Sequence, residues 1–186
     1  VYSLDEARER QEKVASLKDF TFEKVRADEL EVGDFVAFPR LASSSVDGWT
    51  VGKSRLVGYF LAEGSFLKHK GDPTETQFNF SMGEKDTYVQ EVVDLLSQEF
   101  PGSTPWIQNR PERDTCVVHV YGREIAEWFR THCGEYSHGK RMSQEVMTLP
   151  TELHKHVVGA WINGDGTFGT ANKTLSASTV SYDLAC

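Results

Sequence analysis

The chain has 186 residues, 39% of them hydrophobic, with 28 acidic against 20 basic side chains and a formal net charge of −8. This is an ordinary globular mixture, enough for one domain or two small packed ones, and no apolar run reaches the ~18 residues a membrane span needs. Three cysteines, Cys116, Cys133 and Cys186, without a CxxC pair exclude a disulfide framework and point to a reducing, intracellular setting, cytoplasm or the nucleoid or organelle of a host. The acidic balance counts against nucleic acid as a partner unless basic groups gather on one face. The start, VYSLDEARER, is too charged for a signal peptide, and the missing initiator Met fits a fragment or a processed piece.

Residues 4–18 read as a charged helix with a thin stripe of Leu4, Ala7, Val14 and Leu17. Residues 22–38 read as strands around the turn Glu31-Val32-Gly33-Asp34, and 41–52 as a polar linker. The stretch LVGYFLAEGSF (56–66) follows as an apolar helix ending in an acid and a glycine. TQFNFSM (76–82) alternates, with Phe78, Phe80 and Met82 inward and Gln77, Asn79 and Ser81 outward. Residues 84–100 form an amphipathic helix on Tyr88, Val92, Leu95, Leu96 and Phe100. WIQNR (106–110) and TCVVHVY (115–121) flank a turn, and 122–134 is a short helix with Ile125, Trp128 and Phe129 inward. Residues 137–154 hold one helix or two short ones before VGAWINGDGTF (158–168).

The last stretch repeats the first at an offset of 102: Gly58 pairs with Ala160, Ala62 with Gly164, Glu63 with Asp165, Gly64 with Gly166 and Phe66 with Phe168. Small residues four apart share a helical face and allow two helix backbones to approach closely. Glycines then end both helices, and the two acids meet at the same end of the pair. Two carboxylates forced together need neutralising, and a divalent metal, Mg²⁺ above all, suits oxygen ligands. Such a metal can activate water and stabilise the leaving oxygen of a phosphodiester, which makes the pair a candidate nuclease centre.

The two stretches resemble the signature helices of the LAGLIDADG homing endonucleases, and the order helix, strand, strand, helix, strand, strand, helix is similar to that family's half over residues 53–186. The resemblance implies an α+β αββαββα fold with a pseudo-two-fold repeat, lying as a saddle on double-stranded DNA and cutting it with metal. By position, Glu63 and Asp165 match the catalytic acids, with Gly64 and Gly164 beside them as further metal-site positions. VRADELEVGDFVAFP (25–39) resembles the segment that leads from the splicing domain into the endonuclease in inteins, the branch to which the chain is assigned. Without a leading Cys or Ser or a terminal His-Asn pair, it is not expected to splice. The expected division is 1–52 for that junction, 53–154 for the first repeat and 155–186 for the start of a second, truncated one. In this pattern a Lys often precedes the proline ahead of the second motif by three residues; Met147 stands there, before Pro150, and Lys140 is the nearest alternative.

Strand alternation supplies DNA-contact candidates: Gln77, Asn79 and Ser81, then Gln108, Arg110, Arg113, His119 and Tyr121, with Lys68 and Lys70 near the strand after the first motif. The acids crowd the helices, so these strands can form the basic and amide face that the net charge otherwise denies. Two bland patterns fail on geometry. NGDGTF lacks the alternating acids and closing Glu of a calcium loop. Cys116 and His119 point to opposite faces of a strand, which argues against a zinc site with Cys133 and His138. Two other functions stay open: a maturase-like module that binds DNA or RNA without cutting, and an inactive fragment that needs its missing C-terminal half or a partner chain.

Overall fold

The structure, a computed structural model, describes residues 26–32, 46–169 and 174–185, with the side chains of Ala27 and Phe168 left aside. The chain divides into two compact units, Val1–Arg40 and Leu41–Cys186. Among its described residues the first shows a helical turn at Ala27–Glu29, closed by a bond from Arg26 N to the Glu29 carboxylate at 3.2 Å. The helix expected at 4–18 and most of the strands expected at 22–38 lie outside the described residues.

The second unit is α+β. Helix α1 (Val51–Glu63) begins where the Thr50 hydroxyl accepts the Lys53 N–H. It leads directly into strand β1 (Gly64–His69), which turns through Lys70 and Gly71, both at positive φ, into β2 (Asp72–Ser81). A wide turn at Lys85–Val89 opens α2 (Gln90–Glu99). Strands β3 (Trp106–Arg110) and β4 (Thr115–Tyr121) form the second hairpin, followed by α3 (Arg123–Cys133). Two short helical turns, Tyr136–Gly139 and Gln144–Met147, precede α4 (Thr151–Asp165), which starts behind Pro150. A two-stranded ribbon of β5 (Gly166–Gly169) and β6 (Thr174–Ala177) follows, then a helical turn at Tyr182–Ala185.

The antiparallel sheet has the order β1-β2-β4-β3. Its inner face carries Phe78, Phe80, Val118 and Val120, all buried under the helices. Helix α1 is almost wholly buried: Leu56, Val57, Tyr59, Phe60 and Leu61 are each at most 1% exposed. From Leu56 to Ala62 it carries no charged residue, because it has neighbours on every side: sheet, α2, α3 and α4. Phe60 stacks on Phe129 of α3 at 5.0 Å, and Phe129 meets Phe78 edge-on at 5.6 Å. Val92 and Leu96 close the core from α2, with Tyr88, Leu95 and Phe100 half-buried around them, so the stripe read from the sequence faces inward.

The polar side of α1 is held by a second device. Arg55 pairs with Glu91 of α2 through both nitrogens of its fork, and the Tyr59 hydroxyl donates to Glu91 at 2.6 Å while accepting from Arg55 at 3.1 Å. Burial and the neighbouring Glu91 push the Tyr59 phenol up to about 12, so it stays a donor.

Candidate functional site

The contact between α1 and α4 positions the two acids. A Cβ placed on Gly58 would lie 2.7 Å from Ala160 Cβ and 2.8 Å from the Trp161 nitrogen, and nearer still to the Val157 carbonyl. A Cβ on Gly164 would collide with that of Ala62 and lie 3.5 Å from a Glu63 carboxylate oxygen. The helices therefore touch backbone to backbone, which only glycine permits. Gly58 meets Ala160 and Ala62 meets Gly164 at the same offset, so the helices run in the same direction and their C-termini share one end.

Glu63 and Asp165 arrive at that end together. Burial first, then the Asp165 charge and that of Glu84, push the Glu63 carboxyl up to about 7, against the pull of Lys140. Among the described residues no hydrogen bond reaches the Glu63 carboxylate. Asp165 is exposed. Gly64 and Gly166 end the helices, as expected, but not through a left-handed turn. Their φ values are −77° and −89°, and both residues run straight into a strand. What bars a side chain is space: a Cβ at Gly64 would strike the Phe60 ring, and one at Gly166 would lie 2.6 Å from Ile162 Cγ2.

Lys140 reaches the same end from outside. Its Nζ donates to the Leu61 and Ala62 carbonyls at 2.8 and 2.9 Å, the last carbonyls of α1. Burial lowers its pKa, and the charges of Asp165 and Glu63 oppose that fall. A tight loop puts it there: Gly134 sits at φ 72° against the Gly139 carbonyl, Tyr136 holds φ 58°, and Gly134 bridges to Lys140. Met147, three residues before Pro150, is 47% exposed.

The strand candidates gather by register on the outer face of the sheet. Gln77 lies opposite His119, Asn79 opposite Val117 and Ser81 opposite Thr115 on β4, while Gln108 and Arg110 continue the same rows on β3. Tyr121 is 61% exposed there, and Arg113 is exposed in the turn Pro111–Arg113. Arg110 folds back onto the Gln108 amide oxygen at 3.0 Å.

Two candidates, His119 and Lys68, differ from expectation. His119 is on the expected face but only 4% exposed, because the Trp106 ring stacks on it at 4.2 Å and Glu75 pairs with its Nδ1 at 2.5 Å. Lys68 does not project freely, since its ammonium is held by Glu135 at 2.8 Å and the Tyr136 hydroxyl at 3.0 Å. It lines, with Lys140 and Ser65, a cleft of about 280 Å³. Lys70 sits in the hairpin turn at φ 52°, exposed. Glu75 and Trp106 escaped the sequence reading. Glu75 shares the alternation of Gln77 and was reachable by starting the strand at 72; Trp106 gave no signal beyond its place on a strand.

Among the described residues no group of three or more His, Cys, Asp or Glu gathers, and no helix is long and apolar enough to cross a membrane. Glu63 and Asp165 are two carboxylates at one helix end, the first raised chiefly by its burial. That fits a hard divalent ion completed by water and phosphate oxygens.

No family model matches the chain. It is 31% identical over 112 residues, 60% of its length, to the DNA polymerase II large subunit of Thermococcus kodakarensis, of which it spans only 6%. Among solved structures it is similar to a variant of I-DmoI in complex with its target DNA in the presence of 2 mM Mn, with a TM-score of 0.48 and 13% identity over 67% of this chain and 64% of that one. Mesophilic variants of the homing endonuclease I-DmoI give a TM-score of 0.45 and 14% identity, covering 67% of this chain and 66% of theirs. The homing endonuclease I-WcaI bound to its DNA recognition sequence gives 0.41 and 16%, covering 68% and 57%. The chain spans less than two thirds of each of these structures.

Proposed function

We propose that the chain is a DNA endonuclease of the LAGLIDADG homing type, hydrolysing phosphodiester bonds of double-stranded DNA with a divalent metal, Mg²⁺ in the first place. One observation carries the reading: Glu63 and Asp165 converge at one end of two helices packed backbone to backbone, with the Lys140 ammonium beside them.

Glu63 and Asp165 would hold the metal, which when bound supplies an activated water and charge neutralisation at the phosphate. Glu63 is the more telling ligand. A half-buried carboxyl raised to about 7 is partly protonated at neutral pH, and a bound cation would displace that proton to solvent and take its place. Lys140 spends two N–H groups on the α1 carbonyls and keeps a third for an incoming phosphate oxygen. The rigidity of the α1–α4 seam keeps the acids in place during the reaction, since neither backbone can slide without a clash. The outer sheet face, with Gln77, Asn79, Ser81, Gln108, Arg110, Arg113 and Tyr121, would take the duplex, and an intracellular location follows from that substrate.

The intein branch is the finer part of the reading. It is supported by the segment 25–39 and by a similarity that occupies a small part of a large polymerase subunit, as an inserted module would. One observation favours the maturase-like alternative: among the described residues no group of three or more His, Cys, Asp or Glu gathers that could hold a metal ion.

The test is selection of duplexes from a randomised pool, followed by incubation of the selected DNA with Mg²⁺. Wild type cuts, while Glu63→Gln and Asp165→Asn bind without cutting. Binding with no cutting by wild type selects the module instead.

A further inference from the structure

The segment after α4 reaches back across the molecule to the loop that carries Lys140. Of its described residues from 174 to 185, Ser181 alone is buried, at 1% exposure. A buried hydroxyl needs partners, and this one has two. Its oxygen accepts the Leu184 N–H at 3.3 Å, which starts the helical turn Tyr182–Ala185. Its proton goes to the Lys140 carbonyl at 2.5 Å, since a carbonyl can only accept. One residue earlier, the Val180 carbonyl accepts from His138 Nδ1 in the same loop at 3.2 Å. Leu184 then packs half-buried against the core. A single helical turn does not hold itself in water, so turn and loop fasten each other.

The loop needs that fastening. It runs from Gly134 to Lys140 on two bridges, Gly134 to Lys140 and Glu135 to Gly139. Tyr136 within it holds φ 58°, a conformation that a residue other than glycine keeps only where its surroundings impose it. Lys140 closes the loop and is gripped at three points. Its backbone bridges to Gly134, its carbonyl takes the Ser181 proton, and its ammonium donates to the Leu61 and Ala62 carbonyls. The first grip is internal to the loop and the third holds only the tip of a flexible side chain. The Ser181 bond, from 41 residues away, is the one that ties the backbone of Lys140 to another segment.

We infer that Ser181 is a positioning residue for Lys140. Through the Lys140 carbonyl it fixes the backbone from which the ammonium reaches the end of α1 and an incoming phosphate oxygen. The inference rests on the proposed role of Lys140 in cutting DNA. It gives the segment after α4 a task at the site, although none of its side chains stands beside the two acids. A helix cap alone would be a different role, and one substitution separates the two. Glycine serves nearly as well as serine at a cap, but it has no hydroxyl to donate to Lys140.

The experiment uses the whole chain as wild type, Ser181→Gly and Ser178→Gly, the last placing the same flexibility at an exposed position three residues earlier. Lysine amines are reductively methylated with limiting formaldehyde, and the rate at each lysine is read by mass spectrometry. In Ser181→Gly the Lys140 amine should react about fivefold to tenfold faster than in wild type, one hydrogen bond's worth. Lys53, whose ammonium donates to the Gly48 carbonyl at 2.6 Å at the other end of α1, should keep its wild-type rate. So should Lys140 in Ser178→Gly. On the selected duplex with Mg²⁺, Ser181→Gly should bind as wild type does and cut about fivefold to tenfold more slowly in single-turnover assays. With Lys140→Met already in place, the same exchange should slow cutting by less than about twofold, because nothing is left to position. The inference is overturned if the Lys140 rate in Ser181→Gly stays within about twofold of wild type, as a cap alone requires. It is overturned equally if Lys53 accelerates alongside Lys140, or if Ser181→Gly slows the Lys140→Met protein as much as it slows wild type. Failure of wild type to cut instead refutes the proposed function, and the amine rates then still decide whether Ser181 holds Lys140.

Discussion

Replacing Gly58 with Ala should destabilise the fold, although the same exchange normally strengthens a helix. The new Cβ would lie 2.7 Å from Ala160 Cβ and 2.8 Å from the Trp161 nitrogen, and carbon atoms settle at about 3.5–4.0 Å. Helix α4 would have to retreat by about 1 Å, because the obstacles are backbone atoms and a Cβ, none of which can swing aside. Overpacking of this kind costs about 1–3 kcal/mol, and a blocked backbone belongs at the upper end. The helix gains about 1 kcal/mol from losing a glycine, leaving a net loss of about 1–2 kcal/mol. Gly159→Ala is the matched control in α4, since a Cβ there meets nothing within 4 Å. It should stabilise by about 0.5–1 kcal/mol. The two variants should therefore melt on opposite sides of wild type, about 4–12 °C apart for a domain of this size, in thermal denaturation followed by far-ultraviolet circular dichroism. A Gly58→Ala protein as stable as wild type would refute the backbone-to-backbone seam on which the site depends.

The raised Glu63 carboxyl makes stability depend on pH. Its folded value of about 7 exceeds the ordinary 4.5, so its contribution is full below about pH 4.5 and is lost as pH rises to about 7. Urea midpoints of wild type should fall over that window more steeply than those of Glu63→Gln, and added Mg²⁺ should restore the loss near neutral pH. Lys140→Met should bind the selected duplex normally and cut it about 10²-fold more slowly in single-turnover assays, as loss of a charge-stabilising donor does. Tyr59→Phe removes the hydroxyl between Arg55 and Glu91 and should cost about 1–2 kcal/mol in urea denaturation, with duplex binding unchanged.

The helix pair and the sheet face were legible because both are periodic. Gly58, Ala62, Ala160 and Gly164 mark one side of two helices by spacing alone, and alternation along residues 76–82 sorts Gln77 from Phe78. The reason for Gly64 and Gly166 was not legible. From sequence a glycine after a helix reads as a left-handed cap, and only the Phe60 ring and the Ile162 side chain show that the demand is for space. His119 was misjudged because alternation gives the face and not the cover. Trp106 and Glu75 reach it from neighbouring strands, Glu75 from 44 residues away. Lys140 was legible only as a substitute for a lysine missing at 147. Its seat depends on a loop with two residues at positive φ, Gly134 and Tyr136, which no helix or strand pattern announces.

The central claim is that Glu63 and Asp165 together hold a divalent metal on DNA. Electron paramagnetic resonance of Mn²⁺ tests it most directly, counting the ions held by the protein–duplex complex beyond those held by the same duplex alone. Wild type should hold such excess Mn²⁺, and the Glu63→Gln, Asp165→Asn double variant, still bound to the duplex, should hold none. A double variant that retains the wild-type Mn²⁺ would contradict the assignment.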